Sequence, residues 1–408
     1  MSRPTFFDPL PLYDASGEIS TMRDDARNFA ARFVAGIDAQ ISADECFPHH
    51  LWGELGNAGF LGITVPERFG GMPDEYGGGR YLTHFVVMEE LSAASGSVGL
   101  SYIAHSNLCM NQIALNGTEE QKERFLPKLA AGEYVGALAM SEPQAGSDVI
   151  SMRANAVLDG DHYVLNGTKM WITNGGTADV VVVYAKTNPA AKSKGITAFI
   201  LEKGTPGFEV GQKIHKIGMR GSDTYELVFN DCRIPVENVL GTVNGGANVL
   251  MSGLNYERLL LSAGAVGLMQ GAYDFAVDYT SQRQQFGRPV NHNQSIRHEL
   301  ADMYGKIATN RNLGYALAAL ADRGGKLTNE AAATLFKTAA EDGMDVTQRA
   351  VILCGGNGYT TEYPVGRKWE DAMLYMIGGG TVHIRRGIIA DAVLGKIPGA
   401  GTPQGPAN

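Results

Sequence analysis

Three stretches of the 408-residue chain combine residue types that could do chemistry. The first is Ala139-Met140-Ser141-Glu142-Pro143-Gln144-Ala145-Gly146-Ser147-Asp148, whose backbone N–H groups and hydroxyls could face an anion or a ring edge. Ser, Asp and Gly are equally the residues of an ordinary capped turn. The second is Cys354-Gly355-Gly356-Asn357-Gly358-Tyr359, followed by Glu362, Arg367 and Asp371. Its glycines let backbone approach a flat or charged ligand, and a simple helix break would use them just as well. The third is Leu254-Asn255-Tyr256-Glu257-Arg258-Leu259, with Leu260 and Leu261 next and Gly264, Gly267 and Gly271 beyond. A lone mid-helix glutamate is usually a solvated residue. In apolar surroundings, on a helix whose small residues let it pack closely, its carboxyl would be desolvated and its pKa raised toward the range of a general base.

Other chemistries lack their signatures. The chain has no GxxxxGK[ST], no strand-GxGxxG-helix unit with a following acid, no HExxH and no GxSxG, which removes the usual phosphate, dinucleotide, zinc and serine-hydrolase motifs. No metal site is expected from the scattered histidines. Cys46, Cys109, Cys232 and Cys354 are far apart without CxxC and read as buried free thiols. A net charge of −9 has the wrong sign for a nucleic-acid binder. No run of about 18 apolar residues suggests membrane insertion, and the start, with Pro4, Asp8, Pro9 and Pro11, does not resemble an export or transit signal. The expected location is cytoplasmic.

The elements that must position these residues follow from periodicity. Apolar residues recur at helical spacing from Met22 to Ile37, with Thr21 and Asp24 as a candidate capping box. Helical texture continues through Leu51–Phe60, Thr83–Ser92 and Glu119–Leu129. From about Tyr134 β-branched residues alternate with polar ones. His162–Leu165, Asn166-Gly167 and Lys169–Thr173 read as a hairpin, with strands at Val180–Tyr184, Ile196–Glu202 and Tyr225–Phe229. Helices return at Gly253–Tyr279, Ser295–Leu320, Asn329–Ile352 and Thr381–Leu394. The expected plan is an α+β chain: a helical domain over 1–133, a β-barrel or sandwich over 134–248, a four-helix domain over 249–396 and a disordered tail over 397–408. Glycine is in excess at 52 residues, without the period of collagen.

Together the motifs resemble the acyl-CoA dehydrogenase family. The match runs from Ala139 to Ser151, through Lys216-Ile217-Gly218-Met219-Arg220-Gly221-Ser222, Glu226-Leu227 and Ile234-Pro235, and from Gly355 to Asp371, where Ile352 departs from a preferred polar residue. Lys169-Met170-Trp171-Ile172-Thr173-Asn174-Gly175 also fits. The resemblance implies FAD between the β domain and the carboxy-terminal helices, with Ser141, Ser147, Trp171 and Thr173 lining the isoalloxazine, Trp171 covering it and Thr173 near N5. From the residues alone, Trp171 would read as core or hairpin packing. Arg283, Phe286, Gln294, Gly355, Gly356 and Thr381 resemble the family's remaining cofactor contacts, several of them to the FAD of a neighbouring subunit. A homotetramer, a dimer of dimers, is implied, as is an electron-transferring flavoprotein as acceptor.

Many family members carry their catalytic glutamate in a Tyr-Glu-Gly-Thr segment. The corresponding stretch is Ile377-Gly378-Gly379-Gly380-Thr381, with Gly379 where the acid would be. The family's isovaleryl-CoA branch places its base on another helix, at the position of Glu257. The resemblance therefore implies Glu257 as base and the Gly379 backbone N–H, with a flavin ribityl hydroxyl, as the donors that polarise the thioester carbonyl. Ser101 to Cys109 and Met251-Ser252-Gly253-Leu254 resemble the same branch. They imply an acyl pocket shaped by Leu100, Ala104, Tyr375 and Gly378, with Ser147, Asn255, Tyr256 and Arg258 toward the rest of the acyl-CoA; on its own Arg258 would read as a surface ion pair. Ile103 stands where that branch has glycine, and Val382-His383 also depart. The expected reaction is α,β-dehydrogenation of isovaleryl-CoA to 3-methylcrotonyl-CoA in leucine breakdown. The rivals are another branched, terpenoid or short linear acyl-CoA, or a non-catalytic flavoprotein on the same fold. Glu257→Gln is expected to abolish turnover and a second change, Gly379→Glu, to restore part of it.

Overall fold

A computed structural model describes residues 8–397; the tail expectation for 397–408 lies outside them apart from Ile397. The first helix, α1 (Glu18–Phe29), begins before the Thr21-Asp24 box. Asp14 caps it from upstream: its carboxylate accepts from Ile19 N (3.1 Å) and Ser20 N (2.7 Å), across Gly17 in a left-handed conformation. Thr21 instead donates its hydroxyl to the Gly17 carbonyl inside the helix. Short helices α2 (Asp38–Asp44) and α3 (His50–Asn57) follow, then α4 (Arg80–Ala94) and α5 (Gly96–Ile103). Ala104–Met110 is wound as a π-helix before α6 (Asn111–Asn116), a local widening that often marks functional sites. Helix α7 (Glu119–Ala130) starts with a reciprocal capping box of Thr118 and Gln121.

The β domain contains β1 (Gly136–Ala139), β2 (Asn155–Asp159), β3 (His162–Thr173), β4 (Val180–Lys186), β5 (Ile196–Glu202), β6 (Phe208–Lys213), β7 (Thr224–Pro235) and β8 (Val239–Leu240). Their order is β6-β7-β3-β2-β4-β5-β8, with β1 beside β4. Only Asn155 and Lys186 pair across β2 and β4, so the sheet folds into two halves whose inner faces share one core: Tyr163, Leu165, Phe229 and Cys232 from one half, Val181, Val183, Phe199 and Leu201 from the other. That is a sandwich. The unbroken apolar run of β4 has a reason, because its alternate residues Val180, Val182 and Tyr184 face a second core with α7, and a strand covered on both faces loses its polar alternation.

The Asn166-Gly167 turn is not formed. β3 runs straight through it, and the chain reverses instead between Asp159 and His162. Gly167 sits at a register shift against β7, where a Cβ would lie 2.8 Å from the Ala154 backbone. The glycine serves close approach rather than reversal.

The carboxy-terminal part holds five helices among the described residues rather than four: α8 (Gly246–Gln282), α9 (Gln294–Asp322), α10 (Asn329–Cys354), α11 (Pro364–Ile377) and α12 (Val382–Leu394). A small hairpin of β9 (Gln284–Gln285) and β10 (Arg288–Pro289) follows α8. α8 has 37 residues and is apolar on nearly every side, as a helix enclosed by others must be. Its glycines form a seam against α4: a Cβ on Gly267 would lie 2.3 Å from the Glu89 carbonyl, and one on Gly271 2.3 Å from that of Ala93. Among the described residues no helix is long and apolar enough to cross a membrane, and no cluster of three metal-ligating acids, histidines or cysteines occurs.

Candidate functional site

The loop after β1 and the end of β3 are tied together from inside the sheet. Lys169 points inward and is fully buried, and Nζ donates to the Met140 carbonyl (2.9 Å) and to Glu142 Oε1 (2.8 Å). Glu142 also accepts from the backbone N–H groups of Arg153 (2.6 Å) and Ala154 (3.0 Å). Burial pushes the Glu142 carboxyl up, but Lys169 and these donors together hold it below the usual range, so the carboxylate is the stable form. Met170 N then donates to the Ser141 carbonyl (2.9 Å). The ladder of β3 and β7 shifts register between Lys169 and Ile172. Inside that bulge Trp171 has φ +67° and its residue surface is 57% exposed.

The packed-tryptophan reading is thereby corrected: the bulge turns the indole out of the sheet. A left-handed non-glycine residue costs on the order of 1–3 kcal/mol and tends to persist where function needs it. Asn174 (φ +63°) secures the next turn by donating to the carbonyls of Ser101 (3.0 Å) and Gly136 (3.2 Å). Ser141 and Thr173 are thus brought beside Trp171, while Ser147 is exposed farther along the same loop.

Glu257 lies on α8, half-buried. Burial pushes its carboxyl up to about 7, against the pull of Arg258 and, from α12, Arg385. Arg258 is 6% exposed, and its Nε has no partner among the described residues, which corrects the surface ion-pair reading. Asn255 donates to the Leu327 carbonyl (2.9 Å) and Tyr256 stacks on Tyr81 at 4.3 Å, so both fasten α8 to its neighbours.

The turn between α11 and α12 faces the same stretch of α8. Gly379 and Gly380 have φ +63° and +86°. A Cβ on Gly379 would meet Leu261 Cδ1 at 2.8 Å and Phe336 Cε1 at 2.9 Å. Leu261 is one helical turn after Glu257, and residues four apart share a helix face. An acid on α8 therefore reaches the neighbourhood that an acid at position 379 would occupy. The same contacts reverse the expected rescue: Gly379→Glu is strained by its φ and crowded by Leu261 and Phe336. In a Glu257→Gln background it is expected to lower the melting temperature and restore no turnover, as a thermal melt and an assay of the same sample will check.

Thr381 caps α12 by accepting from Ile384 N (3.3 Å). Leu100 and Ala104 are buried, Ala104 at the start of the π-helical stretch. Ile103 is also fully buried, in the cluster that contains Leu100, Leu261 and Tyr375. The Tyr375 hydroxyl lies 2.0 Å from where a Cβ on Gly264 would be, which makes that glycine a condition for the tyrosine's position.

Arg283, Phe286, Gln294, Gly355 and Gly356 are not brought to this region. Asn357 Nδ2 donates to Tyr279 Oη (3.0 Å), which fixes the Gly355–Tyr359 turn at the far end of α8, where Arg283 and the β9–β10 hairpin also sit. Tyr279 is twenty-two residues beyond Glu257, about 33 Å along a helix. Phe286 (96% exposed) and Tyr359 (92%) project there, and Cβ atoms on Gly355 and Gly356 would meet nothing.

Two participants carry no motif of their own. Arg385 is fully buried on α12, with nothing in Val382-His383-Ile384-Arg385 to mark it. The Glu142–Lys169 pair falls inside recognisable stretches, and the signal for it is a lysine at an inward position of β3, two residues from Gly167 and four from buried Leu165.

Three family models, described as the N-terminal, middle and C-terminal domains of acyl-CoA dehydrogenase, match residues 16–133, 137–232 and 244–394. The chain is 52% identical over 369 residues to a mitochondrial isovaleryl-CoA dehydrogenase of Solanum tuberosum, covering 90% of this chain and 88% of that one. It resembles a chain in the structure of the electron transferring flavoprotein of Acidaminococcus fermentans, with TM-score 0.90, 38% identity and coverage of 93% and 99%. A glutaryl-CoA dehydrogenase from Mycobacterium smegmatis in complex with FADH2 is similar at TM-score 0.87 and 29% identity, covering 95% of this chain and 98% of that one.

Proposed function

The chain belongs to the acyl-CoA dehydrogenase family, and from that premise we propose that it desaturates isovaleryl-CoA to 3-methylcrotonyl-CoA, as in leucine breakdown, with FAD as cofactor and Glu257 as base. The observation that carries the reading is the pairing of an empty Gly379 with a desolvated carboxyl one helical turn from the Gly379 contact. The residues fit FAD: an indole turned outward at a conformational cost beside the hydroxyls of Ser141 and Thr173, and an open glycine turn, Gly355-Gly356, that reaches a cofactor only from a second copy of the chain. Exposed Phe286 and Tyr359 support that copy, and with it the dimer of dimers. Similarity to a chain from an electron-transferring flavoprotein structure supports such a protein as acceptor.

When bound, FAD supplies the two-electron acceptor for the hydride that leaves the β-carbon. The protein's part is at the α-carbon. Glu257, ionised, takes the α-proton and becomes neutral, an exchange that desolvation favours because the neutral acid is the form burial prefers. Charge passing to the thioester oxygen is met by the Gly379 N–H, a backbone donor that needs no side chain. Arg258 and Arg385 keep Glu257 from being held permanently protonated.

A base titrating near 7 gives the pH dependence its sign. The rate rises with pH as Glu257 ionises, reaches a plateau above about 7, and falls about tenfold per unit below it. Anaerobic addition of isovaleryl-CoA to the yellow holoenzyme is expected to bleach it with that profile. Persistent colour would sink the dehydrogenase reading, and faster bleaching by long linear acyl-CoAs would move the substrate to another member of the class.

A further inference from the structure

Arg385 is fully buried, yet its hydrogen bonds go to carbonyls rather than to an acid. Nη2 donates to the Gly378 oxygen (2.6 Å), Nη1 to that of Phe336 (3.4 Å), and Nε has no partner among the described residues. The guanidinium carbon is 3.4 Å from the centroid of the Phe336 ring. A buried cation without an ion pair is costly, so its environment must return something. The charged groups that act on it are Arg258 and Glu257 from α8 and Glu341 from α10. Glu341 is already paired with Lys337 and Arg386; the other carboxylate that acts on Arg385 is Glu257, on the stretch of α8 that the Gly379 turn meets through Leu261. Glu257 in turn feels Arg258 on its own helix, Arg385 from α12 and the buried Tyr184 of β4.

The Gly378 oxygen and the Gly379 N–H belong to one peptide unit. That unit is planar and trans, so a donor held on its oxygen fixes the direction of its N–H on the opposite side. Hydrogen bonding at the oxygen also polarises the N–H and strengthens it as a donor. This peptide joins two glycines, whose own backbone preferences fix its orientation little; Gly378 N is held by the Leu374 carbonyl (2.7 Å), and Arg385 holds the oxygen from α12.

Resting on the reading of Glu257 and Gly379 given above, we propose that Arg385 is a positioning residue for the desaturation: it clamps the Gly378–Gly379 peptide so that the N–H meets the thioester oxygen, and through that peptide it brings a positive charge from α12 to the stretch of α8 that carries Glu257. Arg258 also acts on Glu257, but among the described residues its side-chain hydrogen bond goes to Asn255 Oδ1 (3.4 Å) and not to the Gly378–Gly379 peptide.

The test uses Arg385→Met and Arg385→Lys in the holoenzyme. Infrared titration of the Glu257 carboxyl, identified as the band missing from Glu257→Gln, is expected to move to higher pH in Arg385→Met and to stay near the parent value in Arg385→Lys. Bleaching on the high-pH plateau is expected to slow by at least about tenfold in Arg385→Met with KM little changed, as for an interaction made in the transition state. Arg385→Lys, with charge but no fork, should slow bleaching without the pH shift. A folded Arg385→Met protein with an unmoved titration and unchanged plateau rate overturns the proposal; if that variant does not fold, a parent-like plateau rate in Arg385→Lys overturns the clamp. If none of the acyl-CoAs bleaches the parent enzyme, the dehydrogenase reading falls by itself, while the infrared titration still decides the coupling of Arg385 to Glu257.

Discussion

Glu257→Gln is expected to leave a folded, yellow protein that isovaleryl-CoA bleaches on the order of a thousandfold more slowly, within the span that a positioned general base contributes. Glutamine keeps the shape and removes only the proton acceptor. The neutral side chain is close to what burial already prefers, since the carboxyl titrates near 7, so stability should change little. Removing a solvated glutamate would leave the rate untouched; removing a structural one would lower the melting point first. Stopped-flow bleaching and a thermal melt on one preparation separate these outcomes, and a near-parental rate would remove Glu257 as base.

Breaking the ion pair beneath the Ser141 loop should have the largest effect on stability. Glu142 and Lys169 are 2% and 0% exposed at their side chains and 2.8 Å apart. Glu142→Ala leaves the ammonium buried without its carboxylate, and the Arg153 and Ala154 N–H groups without their acceptor. The expected loss is roughly 3–5 kcal/mol, read by denaturant unfolding. Because Met170 donates to Ser141 next to this pair, flavin affinity should fall with it. Replacing both residues by leucine should cost less than either single change, since no orphaned charge remains. Equal losses in the double and single variants would count against the pair as the cause.

Much of this was legible in the residues. A carboxylate among leucines with three glycines at helical spacing after it is a local pattern with a local physical meaning, but on its own it reads as a solvated glutamate; the family resemblance, which alone makes the missing acid at Gly379 significant, was needed to single out Glu257. β4 was legible as a local pattern, its two-sided burial being written in four consecutive valines. What stayed hidden depends on long-range geometry. Asn166-Gly167 has the composition of a turn, but β7 and Ala154 recruit it into a strand. Trp171 has the composition of a core residue, but a register shift set by β7 turns it outward. Arg385 lies 128 positions from Glu257, and only the packing of α12 on α10 and its bond to the Gly378 carbonyl give it a part. Asp14 caps α1 from outside the expected window because Gly17 lets the chain fold back.

The length of α8 has a genetic corollary. On the proposed function, each polypeptide would carry the base near one end of this rod and the groups offered to a neighbour's cofactor at the other. On the shared-site reading, a protomer is half of two different centres. A lesion at Glu257 spoils the centre at its own end, and a lesion at Arg283 spoils the one next door. Two defective alleles of opposite kind, expressed in one cell, can therefore assemble a pair in which both lesions fall on the same centre and the other is whole.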